Sequence, residues 1–465
     1  MKIIGKLFGL EDEDIRFVMV DDVITLITEM DIKEMLLSSS QNFDLIYGET
    51  NTNRNILFFD VNYQKRNNIS AAGWAISKNN LEPDSLKNFD AISFSSKALD
   101  AFYSPKKAFM WEKNAEKMWG DNEKNRIPFL ITREFEEYGK DFDVEIEGIK
   151  IHIKFDIRIS YNMRKNIRGI GEAIPCMQFQ FSESQDIKEL PKFYLFAFDL
   201  MKFLSFRQNI CFDKIVLKRL IVDGENVGKY NDSAEVHFYA NSEATKYNLT
   251  EREIITIDDI GDAFPVLFQN IARRRIDGIV DDLYIPLNND DARTVSYSSF
   301  LSAALSFEGE YSRLYPEEES KTDKVFEEIK KNVLNYIEKQ KALFENSSGK
   351  ESKSAKEIIE QMENQIKNLD SSLEKKFNRA IKKNKDIIKE FIERIEKLEL
   401  QKIKEINWGE CLSKMRNHIG HGNPLLIEQE HVAVFRITRC LIYVLILKEC
   451  EVENEKIKYI IEKLF

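Results

Sequence analysis

Apolar positions follow one rhythm in the first half of the chain and another in the second. Up to about residue 250 they come in short extended runs. Residues 17–20 and 23–27 flank Asp21 and Asp22, a hairpin signal. Residues 56–63, 70–77, 176–181 and 235–239 are further β-rich runs. Between 142 and 155 polar and apolar side chains alternate on both sides of Glu147 and Gly148. That pattern predicts an antiparallel pair with one wet and one dry face. A single helix is predicted over 193–206, where apolar residues recur every three or four positions. Together these elements predict a β-rich, sandwich- or barrel-like N-terminal domain over residues 1–250.

From Ile257 onward the period becomes helical. A helix over 258–282 places Phe264, Leu267, Phe268, Ile271 and Ile276 on one side, and 298–313 forms another. Residues 321–405 are mostly Lys, Glu, Asn and aliphatics, and predict a charged helical hairpin or insertion that turns at 346–350. Its spacing sustains no heptad, which argues against a coiled-coil adaptor. The last helix, over 428–451, has an apolar middle that must be buried. The fold class is α+β and multidomain, with an all-α half over residues 251–465.

Composition narrows the function classes. Across 465 residues, 43% hydrophobic content with 32 Phe and 16 Tyr supplies more than one packed core. A net charge of −11 excludes a uniformly basic coat, so any RNA contact must use a local patch. The 5 cysteines form no C-x-x-C pair, which fits a reducing compartment better than a disulfide framework. The N-terminal apolar run is too short for a signal peptide. The strongest apolar run, 440–447, is far below a membrane span, so a cytoplasmic protein without a membrane partner is expected. No phosphate-binding P-loop and no G-x-S-x-G sequence occurs.

The candidate chemistry lies in residues 414–424. His418, His421 and His431 fall within fourteen residues of one another, and Gly420, Gly422 and Pro424 interrupt the helix there. Arg416 is expected on the last helical turn and His421 just past it, with a break at Gly420 folding the two toward one phosphate. A guanidinium can hold phosphoryl oxygens while charge builds, and an imidazole can move protons near neutral pH. That pair suits RNA strand scission and requires neither cofactor nor metal.

Plainer roles stand beside these. Arg416 can cap the last helix carbonyls, His421 can be an ordinary loop residue, and Asn417 can orient the imidazole or simply end a helix. His418 is read as structural or as a substrate contact. A zinc site of His418, His421 and His431, with Glu428 nearby, lacks a Cys pair. Glu308 either pairs with Arg416 or faces solvent. The run Arg273, Arg274, Arg275 contacts phosphate or forms an exposed helix face. Trp74, Trp111 and Trp119 are expected in cores.

Arg416, Asn417, three residues and then His421 resemble the ribonuclease signature of the HEPN superfamily. The order of a β-rich half before a helical half is similar to the ApeA-like anti-phage abortive-infection proteins, with looser matches at 94–103 and 304–308. The resemblance implies a metal-independent endoribonuclease with catalytic Arg416, His421 and Asn417. It would cut RNA, tRNA in particular, by 2′-hydroxyl attack. It further implies a homodimer through the helical half and an N-terminal domain that senses a phage-derived trigger. The alternative within the same superfamily is a non-catalytic scaffold that regulates a partner protein.

Overall fold

A computed structural model describes residues 2–8, 15–20, 23–27, 43–65, 68–78, 86–112, 129–164, 167–239, 249–316, 324–345, 358–359, 362–363, 373–399, 406–423 and 425–465. The expected turn at 346–350, the hairpin tip Asp21–Asp22, Trp119 and Pro424 lie outside them. The chain divides into two compact units, Met1–Gly278 and Ile279–Phe465.

The first unit resolves the choice between sandwich and barrel. Strands β1 (Lys2–Leu7), β2 (Ile15–Val20), β3 (Val23–Ile27), β4 (Phe43–Thr50), β5 (Asn55–Lys65) and β6 (Asn68–Ser70) close on themselves through the β1–β4 and β5–β6 pairings. Phe17, Met19, Leu26, Ile56 and Phe58 fill the barrel. Trp74 is buried and stacks on His237 at 5.3 Å, as the expected core residue. Closure removes the free strand edges that would otherwise invite pairing with another chain.

Strand β5 also leads out of the barrel. It pairs with β7 (Gly73–Ser77), and the sheet continues through β15 (Tyr230–Phe238), β14 (Lys214–Leu220), β8 (Asn88–Ser95), β13 (Ile167–Asp186) and β12 (Ile149–Arg164) to β11 (Lys140–Ile146). The predicted 142–155 pair is β11 with β12, and its turn holds Glu147 and Gly148 at positive φ. Strands β9 (Phe109–Glu112) and β10 (Phe129–Thr132) form a separate hairpin. Helix α1 (Lys97–Phe102) follows β8, and α2 (Leu190–Ser205) is the predicted 193–206 helix. Aromatic rings fasten α2 to the sheet: Tyr194 stacks on Phe238 at 4.1 Å and Phe193 meets Phe181 at 4.5 Å.

The predicted 258–282 helix is two pieces, α3 (Ile257–Ile260) and α4 (Phe264–Ile276), because Gly261 turns to a φ of +59°. Phe264 packs on Phe142 at 4.8 Å and Phe268 on Phe179 at 5.3 Å. These contacts make α4 part of the β-rich unit, so the division falls after Gly278 and not near 250. Of the arginine run only Arg273 lies on an exposed face. Arg275 grips the buried Asp199 with two hydrogen bonds of 2.6 and 2.8 Å, and Arg274 is itself buried.

The second unit is helical: α5 (Tyr297–Leu314), α6 (Lys324–Glu345), α7 (Leu373–Lys383), α8 (Lys385–Glu399), α9 (Trp408–Gly420), α10 (Gln429–Glu449) and α11 (Asn454–Leu464). The charged 321–405 stretch is more than an extension. Phe377 on α7 and Ile388 and Phe391 on α8 are buried, and Phe377 meets Phe307 of α5 at 5.0 Å. Their many Lys and Glu residues cover the outer faces of core helices.

In the first unit, burial and the neighbouring Asp213 carboxylate lift the Asp100 carboxyl from its ordinary range to about 6. The folded state then holds the proton more tightly than the unfolded chain. The resulting stabilisation is complete below about pH 4 and is lost as pH rises through 6. Asp100→Asn is expected to raise stability at pH 7 by about 1 kcal/mol, the shift being discounted because the group is half exposed. At pH 4.5 it changes little. Urea unfolding at the two pH values checks this, and an equal effect at both refutes it.

Candidate active site

Helix α9 carries Arg416 and Asn417, and its start is fixed by a polar clamp. The Asn407 amide oxygen accepts from the Glu410 N–H at 3.3 Å, and its amide nitrogen donates to Glu374 at 3.1 Å. Asn378 donates to Asn407 at 3.0 Å and accepts from the Gly409 N–H at 3.1 Å. Gly409 is what allows this approach, since a Cβ there would stand 2.4 Å from the Glu374 carbonyl oxygen. Leu412 and Met415 face the core.

His421 stands just past the helix end, as expected, but the chain does not break at Gly420. Gly420 is still helical, and His421 continues the pattern by donating its N–H to the Asn417 carbonyl at 3.0 Å. The reversal comes at Gly422, at a φ of +72°. The Gly422 N–H reaches the Ile419 carbonyl and the Asn423 N–H reaches the His418 carbonyl, both at 3.0 Å. This is the Schellman arrangement, which glycine favours because the left-handed position carries no Cβ penalty. The expected fold-back at Gly420 is therefore corrected. Five residues of helix leave the Arg416 and His421 side chains about 140° apart around the axis. No hydrogen bond or ion pair joins them among the described residues.

Each candidate has a definite setting. Arg416 is half-buried and its Nη1 donates to the Asn417 amide oxygen at 3.2 Å. Its Nε is buried with no partner, and no carboxylate pairs with it among the described residues. None of its hydrogen bonds goes to the last helix carbonyls, so the capping role is not the one observed. Asn417 and His421 are exposed. His418 is half-buried, and its Nδ1 lies 3.2 Å from the Asn423 carbonyl oxygen. Glu308 is 3.7 Å from Lys376 and so serves a different cation from Arg416.

The three clustered histidines do not assemble as a zinc site. His431 is drawn into the first turn of α10, where its Nδ1 accepts the Glu428 N–H at 3.0 Å. The grouping that does form is Cys411, Glu430 and His431, with donor atoms within 4.8 Å of one another. Its chemistry does not fit a resident metal. An Nδ1 that accepts a backbone proton leaves the neutral ring protonated at Nε2, so that edge offers a donor and not a lone pair. Without a metal, burial and the Glu430 carboxylate push the Cys411 thiol up to about 12. This grouping had no sequence signal, because Cys411 and His431 sit on different helices.

Sequence patterns also missed a groove of about 590 Å³ in the first unit, lined by Asp143, Lys150, His152, Gln180, Tyr230 and Gln269. There His152 is held by Asp143 at 2.9 Å. The only hint was the polar half of the 142–155 alternation. No protein-family model, curated protein or solved structure matches this chain.

Gly409→Ala separates two opposed effects. Alanine is worth about 1 kcal/mol in a free helix, but the clash with Glu374 costs about 1–3 kcal/mol. A net fall in the unfolding temperature is expected by calorimetry, and a stabilised variant refutes the clamp.

Proposed function

We propose that the chain is a metal-independent endoribonuclease of the HEPN type. One observation carries this: among the described residues Arg416 is bonded only to a neutral amide. Several other cations of the helical unit meet carboxylates, as Lys414 does Glu410 at 2.5 Å, Lys458 does Glu390 at 2.6 Å and Lys376 does Glu308 at 3.7 Å, whereas the buried Arg439 meets a carbonyl and two rings away from this helix end. A half-buried guanidinium whose charge is left unneutralised is an anion site, and its planar fork suits a phosphodiester. The exposed His421 imidazole stands at the adjoining helix end, where it can meet a polymer that no enclosed pocket would admit.

The angle between the two side chains favours a composite site. Arg416 of one copy and His421 of a second would flank one phosphate in a homodimer. Leu426, 80% exposed beside the helix end, supports an uncovered contact surface there. In this reading Arg416 holds the phosphoryl oxygens, Asn417 holds Arg416, and His421 transfers a proton. The 2′-hydroxyl attacks, leaving a 2′,3′-cyclic phosphate. Structured RNA such as tRNA is the substrate class the resemblance suggests, with abortive-infection defence as the setting. The β-rich unit, with its polar groove, would then be the sensor of a phage-derived trigger.

Incubation with total tRNA in the presence of EDTA tests the reading. The parent protein is expected to cleave and leave cyclic-phosphate ends. Arg416→Ala and His421→Ala are expected to lose at least about 100-fold in rate while retaining the parent's unfolding temperature. Cleavage by either variant at the parent rate overturns the assignment.

A further inference from the structure

We propose that His418 is a second catalytic imidazole, the general base of this site, and that His421 is the general acid. The inference rests on the ribonuclease reading and adds a residue to it. It starts from the Schellman turn. His418 is tied to Asn423 twice, through its carbonyl, which accepts the Asn423 N–H at 3.0 Å, and through its ring, whose Nδ1 lies 3.2 Å from the Asn423 carbonyl oxygen. A carbonyl oxygen can only accept, so Nδ1 carries the proton. The neutral ring is thereby held in one tautomer, with the lone pair on Nε2. No other hydrogen bond to this ring exists among the described residues, and the side chain is half exposed.

A base needs this arrangement. Its lone pair is fixed in direction before the reaction, and the carbonyl on the far nitrogen stabilises the imidazolium that forms. His421 lies three residues on, with the helical hydrogen bond between its N–H and Asn417 maintained. The two rings therefore emerge about 60° apart on the same side of the helix end, within reach of one another's substrate atoms. Strand scission has two proton transfers, each worth about 10²–10⁴ in rate, and a lone imidazole can make only one of them per step. The His421 ring has no hydrogen-bond partner among the described residues and takes the complementary task.

The step balances as follows. His418 Nε2 removes the 2′-hydroxyl proton, the 2′-oxygen bonds to phosphorus, and the bond from phosphorus to the 5′-oxygen breaks. Protonated His421 gives its proton to the departing 5′-oxygen. The products are a 2′,3′-cyclic phosphate and a 5′-hydroxyl. One imidazole ends charged and the other neutral, so the pair as a whole neither gains nor loses a proton.

The test uses the full-length protein and two variants on two substrates. His418→Asn keeps an amide N–H to donate to the Asn423 carbonyl, and so preserves the turn, but has no proton-accepting nitrogen. His421→Ala removes the acid. On ordinary RNA both are expected to lose at least 100-fold, with unfolding temperatures like the parent's. The second substrate carries sulfur in place of the 5′-bridging oxygen, a leaving group that departs without protonation. There His421→Ala is expected to recover at least 10-fold relative to the parent, and His418→Asn not to recover.

A His418→Asn protein that cleaves like the parent, while His421→Ala is inactive, overturns the present proposal alone and leaves His418 as a clip on the turn. Recovery of His418→Asn instead of His421→Ala overturns the assignment of roles. A parent that leaves both substrates intact, or a His421→Ala protein as active as the parent, overturns the ribonuclease reading and this proposal with it.

Discussion

Helix α10 has no polar face from Ile437 to Leu447, and the helical unit is arranged around that constraint. A helix apolar on every side must be covered on every side. Helices α5, α8, α9 and α11 all pack against it, including one from the charged stretch. Two of its polar side chains find backbone carbonyls, although the Arg439 Nε is buried with no hydrogen bond among the described residues. Thr438 bonds back to the Val434 carbonyl at 2.7 Å, while Arg439 reaches the Ala292 carbonyl at 2.6 Å between the rings of Phe435 and Phe465. Burial alone would make that guanidinium expensive, and it pulls its pKa down to about 10. Because α9 lies against this helix, one side of it is committed to the core, and the other side, with Lys414 and Asn417, is exposed.

What distinguishes the exposed end of α9 is the kind of partner its cation has. Surface ion pairs such as Lys414 with Glu410 contribute little to stability, but they neutralise charge locally. Arg416 has an amide where its neighbours have carboxylates. In a chain of net charge −11, such a local exception matters more than the average. On the proposed reading it gives a polyanion a place to bind, beside the His418 imidazole that the same turn holds in position. The turn orders one of its own side chains. Gly422 supplies the left-handed residue, and the hydrogen bonds that close it also orient His418.

In the β-rich unit the shared element is β5. Ile56 and Phe58 point into the barrel, while Leu57 and Phe59 are equally buried on the opposite face, where Phe59 stacks on Phe238 at 5.5 Å. One strand therefore belongs to two cores. The barrel closes because β1 and β4 come very near: a Cβ at Gly5 would lie 2.2 Å from the Glu49 carbonyl oxygen. The contacts of Tyr194 with Phe238 and of Phe193 with Phe181 then carry the sheet's order onto α2.

Local pattern was sufficient wherever a residue's neighbours in sequence are also its neighbours in space. The β11–β12 pair, the 193–206 helix, the 298–313 helix and the buried middle of α10 were legible for that reason, although α10 is followed by α11 and is not the last helix. Their alternation or three-to-four spacing reflects one dry face. So was the Arg416, Asn417 and His421 set, as residue types at a spacing. Closure of the barrel was not legible, because it depends on strands β1 and β4 meeting across a long stretch of chain. Nor was the membership of α4 in the first unit, which its aromatic contacts with distant strands decide. The charged stretch hid its core role because its apolar residues are a minority whose shared face is visible only once α5 is beside it. At the site, the sequence determined which groups were present. The tertiary structure determined that the helix runs on to Gly420, that Arg416 and His421 diverge, and that His418 has its proton fixed by a carbonyl. Hydrogen bonds that close a turn are set by backbone angles, and one glycine among several candidates takes the left-handed angle only when the folded chain requires it there.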